Sequence, residues 1–385
     1  MRRIFFTGFA LGLLLLAPLF PLWSDDRSLP ACSPKNAAVL GAGGGLTALE
    51  GGYPSLLGNP GAFASSTASF TALSINPWVY GSPPGALSPL LNSQDYREYL
   101  RWASPEGAGF GGSLGIGYVG KGLALGFINS TDFIQKGKSF PNGTSGYLVS
   151  DFSLVGGLAF TPLTYGPLSL SLGADLRPTV RFFTPLSAPT VVDYLSQHNS
   201  SVLNQTNLYQ GAALALDGGL LARIGGSVTL GFSVRDILDT KYNMSSYPLG
   251  TWLDTLQKSG IPNNGIHSGD TLSVPMSFNA GLAYQPIQGK LASTVDPRFS
   301  LDLVNIQTLF DGSSSVLQNL KGGLDVRFFS WLSLRGGYDE GSLTGGLGFR
   351  ILALDLNLAV FTPLPGLASE TVASSGISME MAFRF

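Results

Sequence analysis

The chain has 385 residues, a net charge of -2, and only 12% charged against 44% hydrophobic residues. That balance provides no electrostatic footprint for nucleic acid. A single cysteine, Cys32, excludes an intrachain disulfide framework and any multi-cysteine metal site, and two histidines add no metal constellation.

Arg2 and Arg3 precede an apolar stretch over 4–22, which Pro18 and Pro21 break near its end. This reads as a secretory signal peptide over 1–24, cut after Ser24. An uncleaved anchor helix is the alternative, and the late prolines and missing positive flank weigh against it. Leu29-Pro30-Ala31-Cys32 has the look of a lipidation box, but Asp25, Asp26 and Arg27 stand between it and the apolar run. Beyond this region no run of about 18 apolar residues offers a membrane helix, although mean hydropathy is high at +0.24. Hydrophobicity spread thinly over alternating segments is what a membrane β-barrel requires.

Residues 41–63 read GAGGGLTALEGGYPSLLGNPGAF. The glycines and the Asn59-Pro60-Gly61 turn show neither a helical nor a strand period. Leu46, Leu49, Leu56, Leu57 and Phe63 are too apolar for a solvated linker, so a compact, packed, irregular segment is expected over 41–63.

Alternation and turn punctuation then mark fourteen strands, an even number, over 67–77, 108–119, 121–132, 147–160, 167–183, 211–223, 226–237, 272–284, 297–306, 319–329, 331–338, 342–350, 351–361 and 376–385. Most approach the ~9–11 residues that a tilted membrane strand needs. Leu168, Leu170, Leu172 and Leu176 oppose Ser169, Ser171, Asp175 and Arg177, and Leu324, Val326 and Phe328 oppose Asp325 and Arg327. In the last strand Ile377, Met379, Met381, Phe383 and Phe385 oppose Ser378, Glu380, Ala382 and Arg384. Connections alternate long and short, with 339–341 and 285–296 as exceptions. A sandwich has no reason to sort its loops by parity; an outer-membrane barrel does. The charged faces, with Asp175, Arg177, Arg235, Asp325, Arg327, Arg335 and Asp355, are then expected in the lumen.

Long loops carry amphipathic segments at 93–102, 190–197 and 251–257. Val191, Tyr194 and Leu195 share one side of the second; Trp252, Leu253 and Leu256 share one side of the third, with Thr251 as the expected N-cap. Such faces can pack on a barrel rim or meet as an apolar groove. Two motifs do not fit their usual context. Gly111–Gly115 matches G-x-S-x-G without a following helix, and Gly115–Gly120 matches G-x-G-x-x-G but leads into a strand. No enzyme and no cofactor are indicated.

The glycine-rich stretch followed by Asn59-Pro60 resembles the start of the FadL-like long-chain fatty-acid transporters, where an Asn-Pro-Ala motif lies near the mature amino terminus; Gly61 stands here in place of the Ala. Gly336-Gly337-Tyr338 and Leu347-Gly348-Phe349-Arg350 resemble the wider group, which includes PorV-like barrels, and the final strand ending in Phe resembles the closing strand of outer-membrane barrels. The resemblance implies an all-β transmembrane antiparallel barrel of about fourteen strands over 67–385, with 25–66 as a lumenal plug gated around Asn59, Pro60 and Gly61. It also implies that the third and fourth external loops form a hydrophobic groove, here Val191, Tyr194, Leu195, Trp252, Leu253 and Leu256. The function implied is passive uptake of hydrophobic small molecules, of long-chain fatty-acid type, across the cell outer membrane, with membrane lipid as the surrounding partner. The alternatives are a non-transporting PorV-like barrel that binds protein partners, and a general porin.

Overall fold

A computed structural model describes residues 32–81, 107–137, 144–187, 200–260, 262, 265–287, 289–367 and 375–385. The alternating segments form sixteen strands: β1 (Ser69–Tyr80), β2 (Ala108–Gly120), β3 (Leu123–Gly137), β4 (Thr144–Tyr165), β5 (Leu168–Ser187), β6 (Asn207–Ile224), β7 (Val228–Arg235), β8 (Thr240–Pro248), β9 (Ile266–Val274), β10 (Ser277–Tyr284), β11 (Val295–Leu303), β12 (Leu320–Phe328), β13 (Leu332–Asp339), β14 (Ser342–Ile351), β15 (Leu354–Pro363) and β16 (Gly376–Arg384). Fourteen of them, all but β8 and β9, form an antiparallel ring that closes where β16 pairs with β1. Closure leaves no exposed sheet edge around the ring, which is the condition for strands to cross lipid.

The remaining two strands correct the sequence reading, which placed 238–271 in a loop. The β7 strand kinks at 236–239, where Asp236, Leu238 and Asp239 have positive φ, and continues as β8 against the first half of β6. The chain returns as β9, paired with β8, and runs on into β10. The strand expected at 272–284 is thus interrupted at Pro275-Met276, where the proline has no N–H for a ladder. Thr240, buried on the same face as Tyr242 and Met244, and the polar pair Ser245-Ser246 mask the alternation of β8. A helix, α1 (Ala37–Gly41), precedes the ring; α2 (Leu249–Ser259) caps the β8–β9 hairpin; α3 (Gln307–Phe310) follows β11.

The two faces of the ring follow the alternation. Leu154, Leu158 and Leu214 point outward and are 57%, 69% and 62% exposed, whereas Asp217, Ser378 and Glu380 point inward and are buried. An outward apolar belt around a polar interior is the membrane-barrel pattern. The inward face is not polar throughout, however. Val119, Ala124, Ile128, Val155 and Ala159, on β2, β3 and β4, form an apolar cluster with Tyr53, Leu56 and Phe63 of the N-terminal segment. Loop parity holds apart from the two expected exceptions, β10–β11 and β13–β14: two or three residues link β2–β3, β4–β5, β6–β7, β12–β13 and β14–β15, while the opposite end carries the β8–β9 hairpin and the other long connections. Gly166, Gly225 and Gly226 take positive φ in those short turns.

Candidate functional site

The N-terminal segment touches inward faces around most of the ring. Helix α1 packs on β13–β16, the 3-10 turn Tyr53–Leu57 on β1–β3, and the turn Pro60–Ala64 on β2–β7. Inward glycines make room for it. A Cβ at Gly219 would collide with Asn59 Oδ1, one at Gly173 with the Pro60 carbonyl, and one at Gly231 with the Thr47 carbonyl. Two glycines of the unexplained motifs, Gly115 and Gly117, have the same cause. A Cβ at Gly115 would overlap the Tyr53 hydroxyl, and one at Gly117 would press on Leu56. Gly61 itself lies so close to β6 that a Cβ would stand 3.0 Å from the Leu221 nitrogen, a physical reason for glycine in place of alanine.

Polar contacts fasten the segment to the wall. Asn36 caps α1, its Oδ1 accepting from Ala38 and Val39, and its amide donates to Glu380 at 2.7 Å. The backbone N–H groups of Leu46 and Thr47 both donate to Asp302 Oδ2, at 2.7 and 2.6 Å. Glu50 pairs with Arg223, and Arg235 donates to the carbonyls of Leu57 and Gly58. Asn59 is fully buried; its Oδ1 accepts from Gly61 at 2.9 Å, while its amide donates to the Thr47 carbonyl at 2.8 Å and the Leu220 carbonyl at 2.9 Å. The contacts of Glu380, Asp302, Glu50 and Arg235 are charge-assisted and so stronger than neutral ones, whereas those of Asn59 are neutral.

Two cavities lie on either side of the segment, and Val39, Leu46, Tyr53 and Pro54 line both. The cavity toward the long loops has a volume of about 1070 Å³. Its charges are largely paired: Arg181 forks onto Asp151 at 2.7 and 2.5 Å, and Arg177 bridges Asp217 at 3.3 Å and Asp236 at 2.9 Å. Tyr80, Tyr147, Tyr242 and Phe361 add aromatic rings to the same lining, and the Arg181 guanidinium lies 5.0 Å from the Tyr242 ring. Lys35 of the segment lies 5.5 Å from the Tyr80 ring and 6.0 Å from the Phe361 ring, a cation–π arrangement. Cys32 lies against this wall, its thiol donating to the Ser130 carbonyl, and burial pushes that thiol up to about 12. The cavity at the short-turn end is smaller, about 240 Å³.

Of the residues singled out in the sequence, Asn59, Pro60 and Gly61 lie together, buried, at the meeting of the segment with β5 and β6. Trp252 and Leu253 pack with Leu203, Leu208, Leu249, Phe182 and Leu186. Trp252 meets the Phe182 ring edge-on at 5.6 Å and donates to Gln210, on the outward side of the rim. Leu256 is 39% exposed. Val191, Tyr194 and Leu195 lie outside the described residues, as does 93–102. The expected Thr251 cap is corrected: α2 begins at Leu249 with no side-chain cap, and the Thr251 N–H donates instead to Asn204 Oδ1 at 2.8 Å. That acceptor belongs to a different loop, which no local pattern reveals. The sequence reading also missed Asp302, Glu380, Glu50 and Arg223 as partners of the segment. For Asp302, Glu380 and Arg223 the only trace was a charge on the lumenal side of an alternating strand, and Glu50 lies in the segment itself.

No protein-family model matches the chain, and no curated protein matches it. Solved structures do. A mutant of the TodX monoaromatic hydrocarbon channel shares 13% identity over 91% of this chain and 97% of its own, with a TM-score of 0.48. The toluene transporter TbuX of Ralstonia pickettii shares 12% identity over 91% and 98%, with a TM-score of 0.46. A FadL homologue of Pseudomonas aeruginosa shares 12% identity over 93% and 99%, also with a TM-score of 0.46. These similar structures are of the FadL family.

Proposed function

We propose that this chain is an outer-membrane channel for passive uptake of hydrophobic small molecules of long-chain fatty-acid type, with 25–66 as its plug. The observation that carries the reading is the separation of two lumenal cavities by a fastened N-terminal segment whose Val39, Leu46, Tyr53 and Pro54 face both. A general porin needs a continuous aqueous lumen, whereas an apolar solute partitions poorly into water and gains from aliphatic and aromatic walls with few unpaired polar groups. Pairing of the lumenal charges leaves the rings and the segment's aliphatic side chains as the surface for a solute. Movement of the turn at Asn59, Pro60 and Gly61 would join the cavities. The capture groove of Val191, Tyr194, Leu195, Trp252, Leu253 and Leu256 belongs to the same proposal; in it Trp252 and Leu253 hold α2 on the rim and Leu256 offers free apolar surface.

The test is labelled oleate uptake by cells expressing the chain, with oleate binding to the purified protein and swelling of liposomes in arabinose. Saturable oleate binding and uptake with slow swelling is the expected result. Swelling as fast as with an open porin, or no saturable oleate binding, overturns the reading.

A further inference from the structure

Where β14, β15, β16 and β1 run side by side, two rows of apolar side chains cross them on the outward face. Phe349, Leu356, Met381 and Ile75 are successive ladder partners and make one row. Leu347, Leu358 and Met379 make the other, which ends at Pro77. The rows stand two residues apart along each strand, about 7 Å. Between them lies a groove of about 440 Å³. It crosses four strands and so runs about 14 Å, three spacings of ~4.8 Å. Asn357 and Glu380 form its floor; their side chains turn inward and bond to each other at 2.9 Å.

The groove is open at its β1 end. Pro77 has no N–H, and the register between β1 and β16 passes from Ile75–Met381 to Trp78–Ser378 without pairing Asn76 or Pro77. Gly112, beside Pro77 on β2, adds no side chain to close that end. The groove therefore lies over the seam where the ring closes. Behind it the wall is shut. Glu380 is buried and accepts from Asn36 and Asn357, so the groove is reached from the membrane and not from the lumen.

We propose that this groove holds one acyl chain of a membrane phospholipid as a splint over the β16–β1 seam. The groove is continuous with the outward apolar belt, so lipid is what lies against it. A second copy of the barrel would present a convex wall, which a groove this narrow does not seat. A slender chain fits, and the unbranched side chains of Met379 and Met381 adapt to it. A chain in the bilayer is already out of water, so close carbon contacts hold it and not the hydrophobic effect. The β14 end of the groove lies two to four residues from the turn into β15, so the chain enters from the leaflet on the short-turn side. The site needs only the outer face of the ring in lipid and is independent of the uptake reading.

The experiment is native mass spectrometry of the full-length protein in detergent, titrated with palmitoyl-oleoyl phosphatidylethanolamine. Met379→Trp fills the groove while keeping the belt apolar, and Leu358→Trp, in the same row, is a second filling. Leu154→Trp, on β4, is the control outside the groove, and heat-modifiable migration on gels checks that each barrel is folded. One lipid is expected to stay on the parent and on Leu154→Trp at collision energies that strip the others. The filled variants should hold it about tenfold more weakly, the loss expected when about ten carbon contacts go. Added lipid should raise the temperature of heat-modifiable migration in the parent and leave that of the filled variants unchanged. Retention by the filled variants equal to that of the parent, equal loss in Leu154→Trp, or no retained lipid on the parent overturns the site. Lipid-free dimers of the parent that Met379→Trp dissociates would make a second copy the occupant and overturn the lipid assignment. Displacement of the phospholipid by an equimolar amount of oleate would do the same in favour of a free fatty acid.

Discussion

Replacing Asn59 with Ala separates the hold on the segment from the stability of the barrel. The substitution removes three hydrogen bonds at a fully buried position: to Gly61, to the Thr47 carbonyl and to the Leu220 carbonyl. A buried intramolecular hydrogen bond is worth about 1 kcal/mol net, so the local cost is about 3 kcal/mol. That corresponds to about a hundredfold shift in an equilibrium. The ladder between β5 and β6 does not pass through Asn59, and the ring closes without it. The loss should therefore fall on the seating of the Pro60–Ala64 turn and not on the barrel. In planar bilayers the parent should show rare openings, and Asn59→Ala should show them about a hundred times more often at unchanged single-channel size. The temperature of heat-modifiable migration should stay the same. Unchanged opening frequency with a lowered unfolding temperature would refute the reasoning, because Asn59 would then brace the wall and not the gate.

Three further outcomes follow from the same geometry. Leu154→Arg, on the outward face of β4, should cost about 2–4 kcal/mol when folding stability is measured by urea titration in lipid vesicles; an unchanged midpoint would reverse the face assignment. Asp151→Ala leaves Arg181 without its forked partner in the wall, so the barrel should lose about 3 kcal/mol by the same titration, the low end for a broken buried pair because the cavity admits water. Cys32 should resist maleimide at pH 8, where a thiol raised to about 12 is ionised in only about one molecule in ten thousand. Its labelling should quicken as pH rises and also in Asn59→Ala; equal labelling of folded and unfolded parent at pH 8 would show the thiol to be free of the wall.

The alternation by itself determined the number of ring strands, which face of most of them points outward and which end carries most of the long loops, because a period of two is local and survives in the strands outside β2 to β4. The last strand, Gly376–Arg384, is legible residue by residue for this reason. The Asn59-Pro60-Gly61 turn was legible as a special position because Asn and Pro specify a backbone shape on their own. Only the tertiary structure decided what these parts hold. Asp302 and Leu46 are 256 residues apart, and Asn36 and Glu380 are 344 apart; no periodicity records a partner at that distance. Gly115 and Gly117 of β2 have no meaning until Tyr53 and Leu56 lie across them, and the apolar inward residues of β2 to β4 contradict the simple alternation rule because they face a protein segment and not water. The continuation of β7 into β8 was hidden by the kink at 236–239, where positive φ breaks the ladder that pattern reading follows.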